Sequence, residues 1–439
     1  MEFYGREKEI AQLQGWNKQA HTAGQMTVVI GRRRIGKTTL IRQALETAPD
    51  TPSVYFFVAK KNEAMLCDEF ISIIKEALHV DVPGEFNSFK DVFKFLMILS
   101  QSRRFSLVID EFQEFLTINS AVYSEMQNLW DTYKNKAKLH LILCGSVYSL
   151  MKRIFENAHE PLFGRVDHRL LLTPFSVDTQ KQILTDYSPH ATNRDLLALY
   201  VASGGVPRYI ELLINEKAFT HKKILDTLLE ENSFFLDEGR NILIEEFGKD
   251  YTTYFSILSL IASSKTSRPD IESIIGQSVG PHIERLENDF MLIKRVIPLF
   301  AKPGTRQIRY TIDDNFLTFW FRFIYKYRSA IEIGNRAYIR NILDRDYTTY
   351  AGRILEKYFR EKLILSGKYS AIGSWWEKGN LNEIDIVAVN DTKKEMLIGE
   401  VKLQAKEIKM KELEAKATGL IEDHRDYTVT FAGFSTADM

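Results

Sequence analysis

The sequence predicts an α/β protein: a parallel sheet covered by helices on both faces, a mostly helical middle, and a smaller α/β part at the end. Three observations carry this. Five short apolar runs, 26-MTVVI, 53-SVYFFVA, 105-FSLVID, 139-LHLILCG and 169-RLLLTPF, alternate with amphipathic segments across residues 1–175. From about 176 to 245 the pattern turns helical, as in RDLLALYVASGG and PRYIELLIN, with Gly204, Gly205 and Pro207 marking a break and restart. Residues 382–402, NEIDIVAVNDTKKEMLIGEVK, are two apolar runs around a polar turn.

Composition bounds the rest. At 439 residues the chain is too long for one ordinary core, so three or four compact parts are expected. Its 58 basic and 58 acidic side chains balance, so any surface for nucleic acid must be local. The two cysteines, Cys67 and Cys144, sit far apart in apolar segments and read as small buried hydrophobes of a reducing compartment, not as a disulfide or zinc site. MEFYGREKE does not read as a signal peptide, and no apolar run reaches membrane-spanning length. The expectation is a cytoplasmic protein that meets no membrane.

GRRRIGKT, residues 31–38, fills the pattern G-x-x-x-x-G-K-[ST] between the run MTVVI and the helix-compatible TLIRQALE. Such a loop cradles the phosphates of ATP. Gly31 and Gly36 let backbone amides approach, and the helix behind adds its positive end. Lys37 is expected on the β- and γ-phosphates and the Thr38 hydroxyl on Mg²⁺, with Ile35 and Thr39 lining the same site. Arg32, Arg33 and Arg34 beside Lys37 need phosphates or acids for balance; one is expected at the γ-phosphate and the others against acids of the helical segment. The run FSLVIDEF ends a buried strand in two acids. Asp110 is expected near Mg²⁺, and Glu111 is expected to polarise the attacking water. Ser146, at the end of LHLILCGS, stands at a carboxyl edge where open α/β sheets bind ligands. Its hydroxyl either senses the γ-phosphate or simply belongs to a Gly-Ser turn.

Residues 254–299 read as helix, turn, short helix after SRPD, and third helix 281-PHIERLENDF. A hairpin follows, LIKRVIPLF-AKPGT-RQIRYTI, with Pro303 and Gly304 in its turn. That order suggests a winged helix. The third helix offers His282 and Arg285 but also Glu284, Glu287 and Asp289, a poor face for phosphate. The wing, with Lys302, Arg306 and Arg309, is better; a packing module is the alternative.

The last hundred residues open with the helix AGRILEKYFREKLIL. Asp385 shares a strand face with Val387 and Val389, and Glu400 and Lys402 share one with Met396 and Ile398. The opposite faces are apolar too, so the strands read as buried and their acids need a partner or a metal. Asp385 and Glu400 on neighbouring strands can share a second Mg²⁺, or Mn²⁺, with Lys402 orienting a water. The alternative is a set of ion pairs.

FYGREKEI, GRRRIGKT, VIDEFQEF, the CGS strand end, PLFGR at 161–165 and GGVPRYI at 204–210 follow one another in this order. With them the chain resembles archaeal-type P-loop ATPases of the AAA+/STAND branch over essentially its whole length. The resemblance implies that Tyr4, Gly5 and Arg6 lie beside the adenine. It makes Arg165 an arginine finger or phosphate sensor, acting within the chain or across a homo-oligomer interface. It sets Pro207 and Arg208 against the nucleotide from a helical lid, although both arginines can equally be surface ion-pair partners.

The ending, GSWWEKG-NLNEIDIVAV and MLIGEVK, resembles the PD-(D/E)xK nuclease fold that is fused to such ATPases. The pattern of that family is an acid on the first helix, Asp on the second strand and E-x-K on the third. Glu356, Asp385, Glu400 and Lys402 match it, with Glu361 as a rival for the helix acid. The expected fold class is therefore α/β: a P-loop NTPase sheet (ASCE/AAA+-like) with a helical lid, then a winged helix and a PD-(D/E)xK-like domain. The expected parts are 1–175, 176–245, 246–330 and 331–439. The function implied is an ATP-hydrolysing ATPase coupled to a metal-dependent, nuclease-like domain acting on DNA. A nucleotide-switched DNA-binding ATPase with a non-cutting C-terminal domain, and a STAND-like signalling scaffold, are the alternatives.

Overall fold

Strand order decides which loops meet at the sheet's edge. In the computed structural model, which describes residues 1–47, 51–248, 251–379 and 382–439, the chain forms two compact units, 2–174 and 175–439 with Met1. The first unit holds β1 (Gln25–Ile30), β2 (Ser53–Phe57), β3 (Phe105–Asp110), β4 (Leu139–Cys144) and β5 (His168–Leu171). All are parallel, in the order β2-β3-β4-β1-β5. The five apolar runs are these five strands. β3 and β4 are buried at every position, because parallel strands covered on both faces have no solvent side. β1 comes first in the chain yet lies between β4 and β5, so its carboxyl end opens beside theirs.

The two sheet faces differ. Val54, Phe56, Leu107, Ile109, Leu141 and Leu143 join the main apolar core with the helices Glu63–Leu78, Phe89–Ser102 and Ala121–Tyr133. The helix Phe89–Ser102 shows why: Phe89, Val92, Phe93, Leu96 and Met97 form one buried stripe at helical spacing, and the Ser88 hydroxyl accepts from Asp91 N at the start. Burying each such side chain is worth about 1.5–3 kcal/mol. The other face carries Thr27, Tyr55, Ser106, Asp110, His140 and Cys144. Asn17 of the helix Glu7–Gln19 reaches Ser106 there, and Thr38 of the helix Lys37–Glu46 reaches Asp110.

The second unit begins with the helices Val177–Tyr187, Asn193–Ser203, Pro207–Asn215, His221–Leu229 and Phe234–Phe247. Tyr251–Ala262, Arg268–Ile275 and Gly280–Asn288 follow, then the antiparallel pair β6 (Ile293–Val296) and β7 (Arg309–Ile312). This is the order of three helices and a hairpin that the sequence predicts, but the strands are shorter than LIKRVIPLF and RQIRYTI suggest. Past Val296 the chain leaves its partner: Leu299 N donates to Ser374 O at 2.9 Å, and the Leu299 side chain packs on a different core.

The helix Arg336–Leu365 then leads into β8 (Ala371–Trp376), β9 (Glu383–Asn390) and β10 (Glu395–Val401). After the helix Met410–Asp423 comes β11 (Thr428–Phe434). The sheet order is β11-β10-β9-β8, with β10 and β11 parallel and the other pairs antiparallel. Val387, Val389, Met396 and Ile398 cluster with Leu413, Ala417 and Leu420 of the helix behind. Beyond β11 the carbonyls of Met439, Ala437 and Asp438 accept from Lys181 Nζ (2.8 Å), Asn193 Nδ2 (3.3 Å) and Lys362 Nζ (2.7 Å). Residues 380–381, inside the GSWWEKG-NLNEIDIVAV stretch, lie outside the described residues. Among the described residues no helix is long and apolar enough to cross a membrane.

Candidate functional site

β1 runs directly into the loop 31–36, and the loop into the helix Lys37–Glu46. Two glycines make the turn. Gly36 has φ 87°, a left-handed conformation that side chains resist, and a Cβ on Gly31 would stand 2.9 Å from Leu172 O. Ile35 is buried, Arg32, Arg33 and Arg34 are half-buried, and Thr39 is exposed on the first helical turn. Lys37 is buried, and its Nζ folds back to donate to the carbonyls of Gly31 (2.8 Å) and Arg32 (3.1 Å).

Asp110 ends β3 on the polar face. Its carboxylate accepts from Thr38 Oγ1 (2.9 Å), Cys144 Sγ (3.1 Å), the Glu111 amide (2.9 Å) and the Tyr55 hydroxyl. Burial works against the charged carboxylate, but these donors outweigh it and hold the carboxyl below its ordinary value. Burial, and then the Asp110 charge, push the Tyr55 phenol and the Cys144 thiol well up, so both remain donors. Neither residue stands out in the sequence as part of this site. The signal that could have found them is the side of the sheet on which Tyr55 and Cys144 fall with Asp110. A hydroxyl and a carboxylate, hard oxygen donors 2.9 Å apart at the end of a phosphate-binding loop, fit Mg²⁺ bound beside a nucleotide.

Glu111 sits at φ 54°, unusual for a side-chain-bearing residue. Its Oε2 accepts from Ser146 N (3.1 Å), Ser146 Oγ (2.8 Å) and Gln113 Nε2 (2.6 Å). Ser146 therefore holds the acid expected to act on water. The Tyr4–Gly5–Arg6 box packs against the chain after β5. Tyr4 and Arg6 are buried, and Arg6 Nη2 donates to Thr173 O at 2.7 Å, next to the Leu172 that borders Gly31. Arg165 donates to Phe163 O (2.9 Å) and pairs with Asp131 at 3.2 Å, so the contacts described for it are with its own loop and the helix Ala121–Tyr133. Pro207 and Arg208 belong to the second unit. Pro207 opens its helix after Gly204 and Gly205, and Arg208 pairs with Glu211 of the same helix at 2.7 Å.

A second cluster lies on the C-terminal sheet. The β9–β10 register, with Gly399 opposite Ile386, puts Asp385 and Glu400 side by side on one face. Glu400 is buried, paired with Lys402 (3.2 Å) and Lys416 (3.6 Å), and accepts from Lys409 N (3.3 Å). Asp385 accepts from Val401 N at 2.8 Å; burial raises its carboxyl, and Lys402 opposes the shift. Glu356, on the helix Arg336–Leu365, lies 3.6 Å from Arg360, and burial followed by the Asp385 charge pushes it up to about 7. Glu361 instead stands 4.0 Å from Lys357. Lysines, not a third acid, thus balance Glu400, and among the described residues no group of three or more His, Cys, Asp or Glu side chains could hold a metal ion. The expected second Mg²⁺ or Mn²⁺ has no such ligand set.

Arg309, one of the hairpin cations expected to face DNA, is engaged within the chain. It grips Glu383 through both carboxylate oxygens (2.6 and 3.2 Å) and lies 4.2 Å over the Trp376 ring. On the third helix Arg285 pairs with Asp289 at 3.7 Å and lies against Tyr254 and Phe290.

Residues 3–213 match the family described as an ATPase domain predominantly from Archaea. Residues 320–416 match a family of archaeal and bacterial proteins of unknown function. An uncharacterized protein of Methanocaldococcus jannaschii is 29% identical over 414 residues, covering 91% of this chain and 87% of that protein. The Walker-type ATPase of Pyrococcus abyssi shares the fold at 18% identity and a TM-score of 0.55, covering 73% of this chain and 96% of that one. The Aeropyrum pernix ORC2 protein is a looser likeness, with a TM-score of 0.48, 14% identity, and 71% and 90% coverage. The N-terminal part of the chain is thus a P-loop ATPase domain of archaeal type.

Proposed function

From an ATPase that hydrolyses ATP at the loop 31–38, we propose an ATP-driven switch whose C-terminal domain is nuclease-like and acts on DNA. One observation carries the second half: Asp385 and Glu400 stand opposite each other on neighbouring strands, with Lys402, just past the second strand, 3.2 Å from Glu400 and Glu356 near enough for the Asp385 charge to raise it. In the ATPase half, Gly31, Gly36 and Lys37 bind the phosphates, and Tyr4 and Arg6 flank the base. Thr38 and Asp110 would hold the Mg²⁺, which neutralises phosphate charge when bound. Glu111, fixed through Oε2 by Ser146 and Gln113, keeps Oε1 to take the proton of the attacking water.

In this reading the second unit divides into a lid (176–245), a winged helix (246–330) and the nuclease-like domain (331–439). The bonds from Lys181 and Asn193 to the segment after β11 tie the lid to the last domain. Nucleotide-dependent lid movement then reaches the sheet that bears Glu400. A second reading, the same switch with a C-terminal domain that binds DNA without cutting it, is favoured by the lysine pairing of Glu400.

Incubation with plasmid, linear and single-stranded DNA, with and without ATP, in Mg²⁺, Mn²⁺ or chelator, separates the readings. Cleavage that Asp385→Ala abolishes while ATP hydrolysis persists supports the nuclease reading. Binding without cleavage under every condition leaves the second. A chain that does neither does not act on DNA.

A further inference from the structure

Three stretches of the second unit meet around a recess of about 240 Å³. Ser264 follows the helix Tyr251–Ala262, Arg322 comes from the π-helical turn Trp320–Ile324, and Asp346, Thr349 and Arg353 project from one face of the helix Arg336–Leu365. Two backbone departures coincide there. Ser264 has φ 72°, and a π-turn interrupts the helical run that presents Arg322. Both conformations cost energy and gather at functional sites more often than elsewhere.

The charges do not balance. Asp346 is the carboxylate among the lining residues, and both its oxygens are in use: Arg322 Nη2 lies 3.0 Å from Oδ2, while Arg345 donates to Oδ1 (2.7 Å) and Oδ2 (3.1 Å). Arg353 is the second guanidinium of the lining, and its hydrogen-bond partner is neutral, the Ser264 hydroxyl. Two lining guanidiniums thus face one carboxylate, which Arg345 from outside the recess also pairs, with the hydroxyls of Ser264 and Thr349 at the same recess. Guanidinium forks and hydroxyls are the donor set that proteins turn towards phosphate oxygens.

We propose that this recess binds a small phosphomonoester, with Arg353 and Arg322 on the phosphate and Ser264 and Thr349 completing its hydrogen bonds. None of its lining residues belongs to either cluster described above, although Arg353 acts on the neighbouring Glu356 carboxyl. A concave recess walled by three elements suits a small ligand better than the convex backbone of a duplex. Its volume leaves room for an organic body beyond the phosphate. Arg353 lies one helical turn before Glu356, so occupancy brings a dianion close to that carboxyl.

The test uses the full chain carrying Lys37→Ala, so that the phosphate loop contributes less to the response. Ribose 5-phosphate and inorganic phosphate are titrated by calorimetry and thermal unfolding, with chloride at matched ionic strength. The expected result is saturable binding that chloride does not reproduce, weakened at least tenfold by Arg353→Gln and abolished by Thr349→Asp, which puts a negative charge into the recess at an exposed position. Arg353→Lys, which keeps the charge but loses the fork, retains weaker binding and guards against a folding defect. Titrations identical in the parent, Arg353→Gln and Thr349→Asp proteins overturn the proposal. A short duplex that displaces ribose 5-phosphate and itself depends on Arg353 also overturns it, making the recess a DNA backbone contact.

Discussion

Asp110 and Glu111 are neighbours in sequence with separate networks, and the separation predicts separate defects. Glu111→Gln keeps the Thr38–Asp110 pair and loses the base, so ATP binding should persist while turnover falls by a factor of about 10²–10⁴. Lys37→Ala should lose binding itself, because it removes the cation on the phosphates. Equilibrium binding of a fluorescent ATP analogue beside a phosphate-release assay distinguishes them; parental turnover in Glu111→Gln would remove Glu111 as the base. Tyr55→Phe strips a hydroxyl from a buried carboxylate and should lower stability by about 1.5–3 kcal/mol in urea unfolding. Lys37, Thr38 and Asp110 were legible in the sequence, since strand, loop and helix follow one another along the chain. Tyr55 was not: it reaches Asp110 only through the pairing of β2 with β3.

Among elements, the hairpin shows how tertiary contacts override local pattern. Its residues predict two long strands and a cationic wing, but Leu299 bonds to β8 and Arg309 is taken up by Glu383 and Trp376. Arg309→Ala should therefore cost about 1–2 kcal/mol of stability and speed amide exchange around Leu299. It should leave DNA affinity unchanged, whereas losing the exposed Lys302 and Arg306 together should weaken it. Binding weakened as much by Arg309→Ala as by the double variant would return Arg309 to the DNA surface. β9 and β10 were legible from their apolar runs. β8 was not, because its positions up to Trp375 are half-buried and carry no clean alternation; β11 alternates only over Thr428–Phe431 and is half-buried beyond.

At the scale of the whole molecule, His140 sets a pH limit on the first unit. Fully buried against Thr27 at 2.8 Å, with Nδ1 lacking a hydrogen-bond partner, it is pulled down to about 3 by burial and then by nearby positive charge. A histidine depressed on folding contributes stability that is present above its ordinary value near 6.5 and is lost as the pH falls towards 3. His140→Gln should flatten that acid decline by on the order of 2–4 kcal/mol in unfolding curves measured from neutral to acid pH. Parallel curves for parent and variant would place the acid sensitivity elsewhere. If copies of the chain assemble and Arg165 acts across their interface, mixing Arg165→Ala with Lys37→Ala should restore some ATPase activity; assembled mixtures without recovery confine Arg165 to its own chain. The place of β1 in the sheet has a further consequence, for the order in which the protein is made. β1 is translated first, but its neighbours are β4 and β5, so on a ribosome it waits unpaired until residue 144 has emerged and lacks its second neighbour until residue 171 has. The loop behind it gains its walls only then. A nascent chain shorter than this should expose an apolar strand and have no complete cradle for a nucleotide.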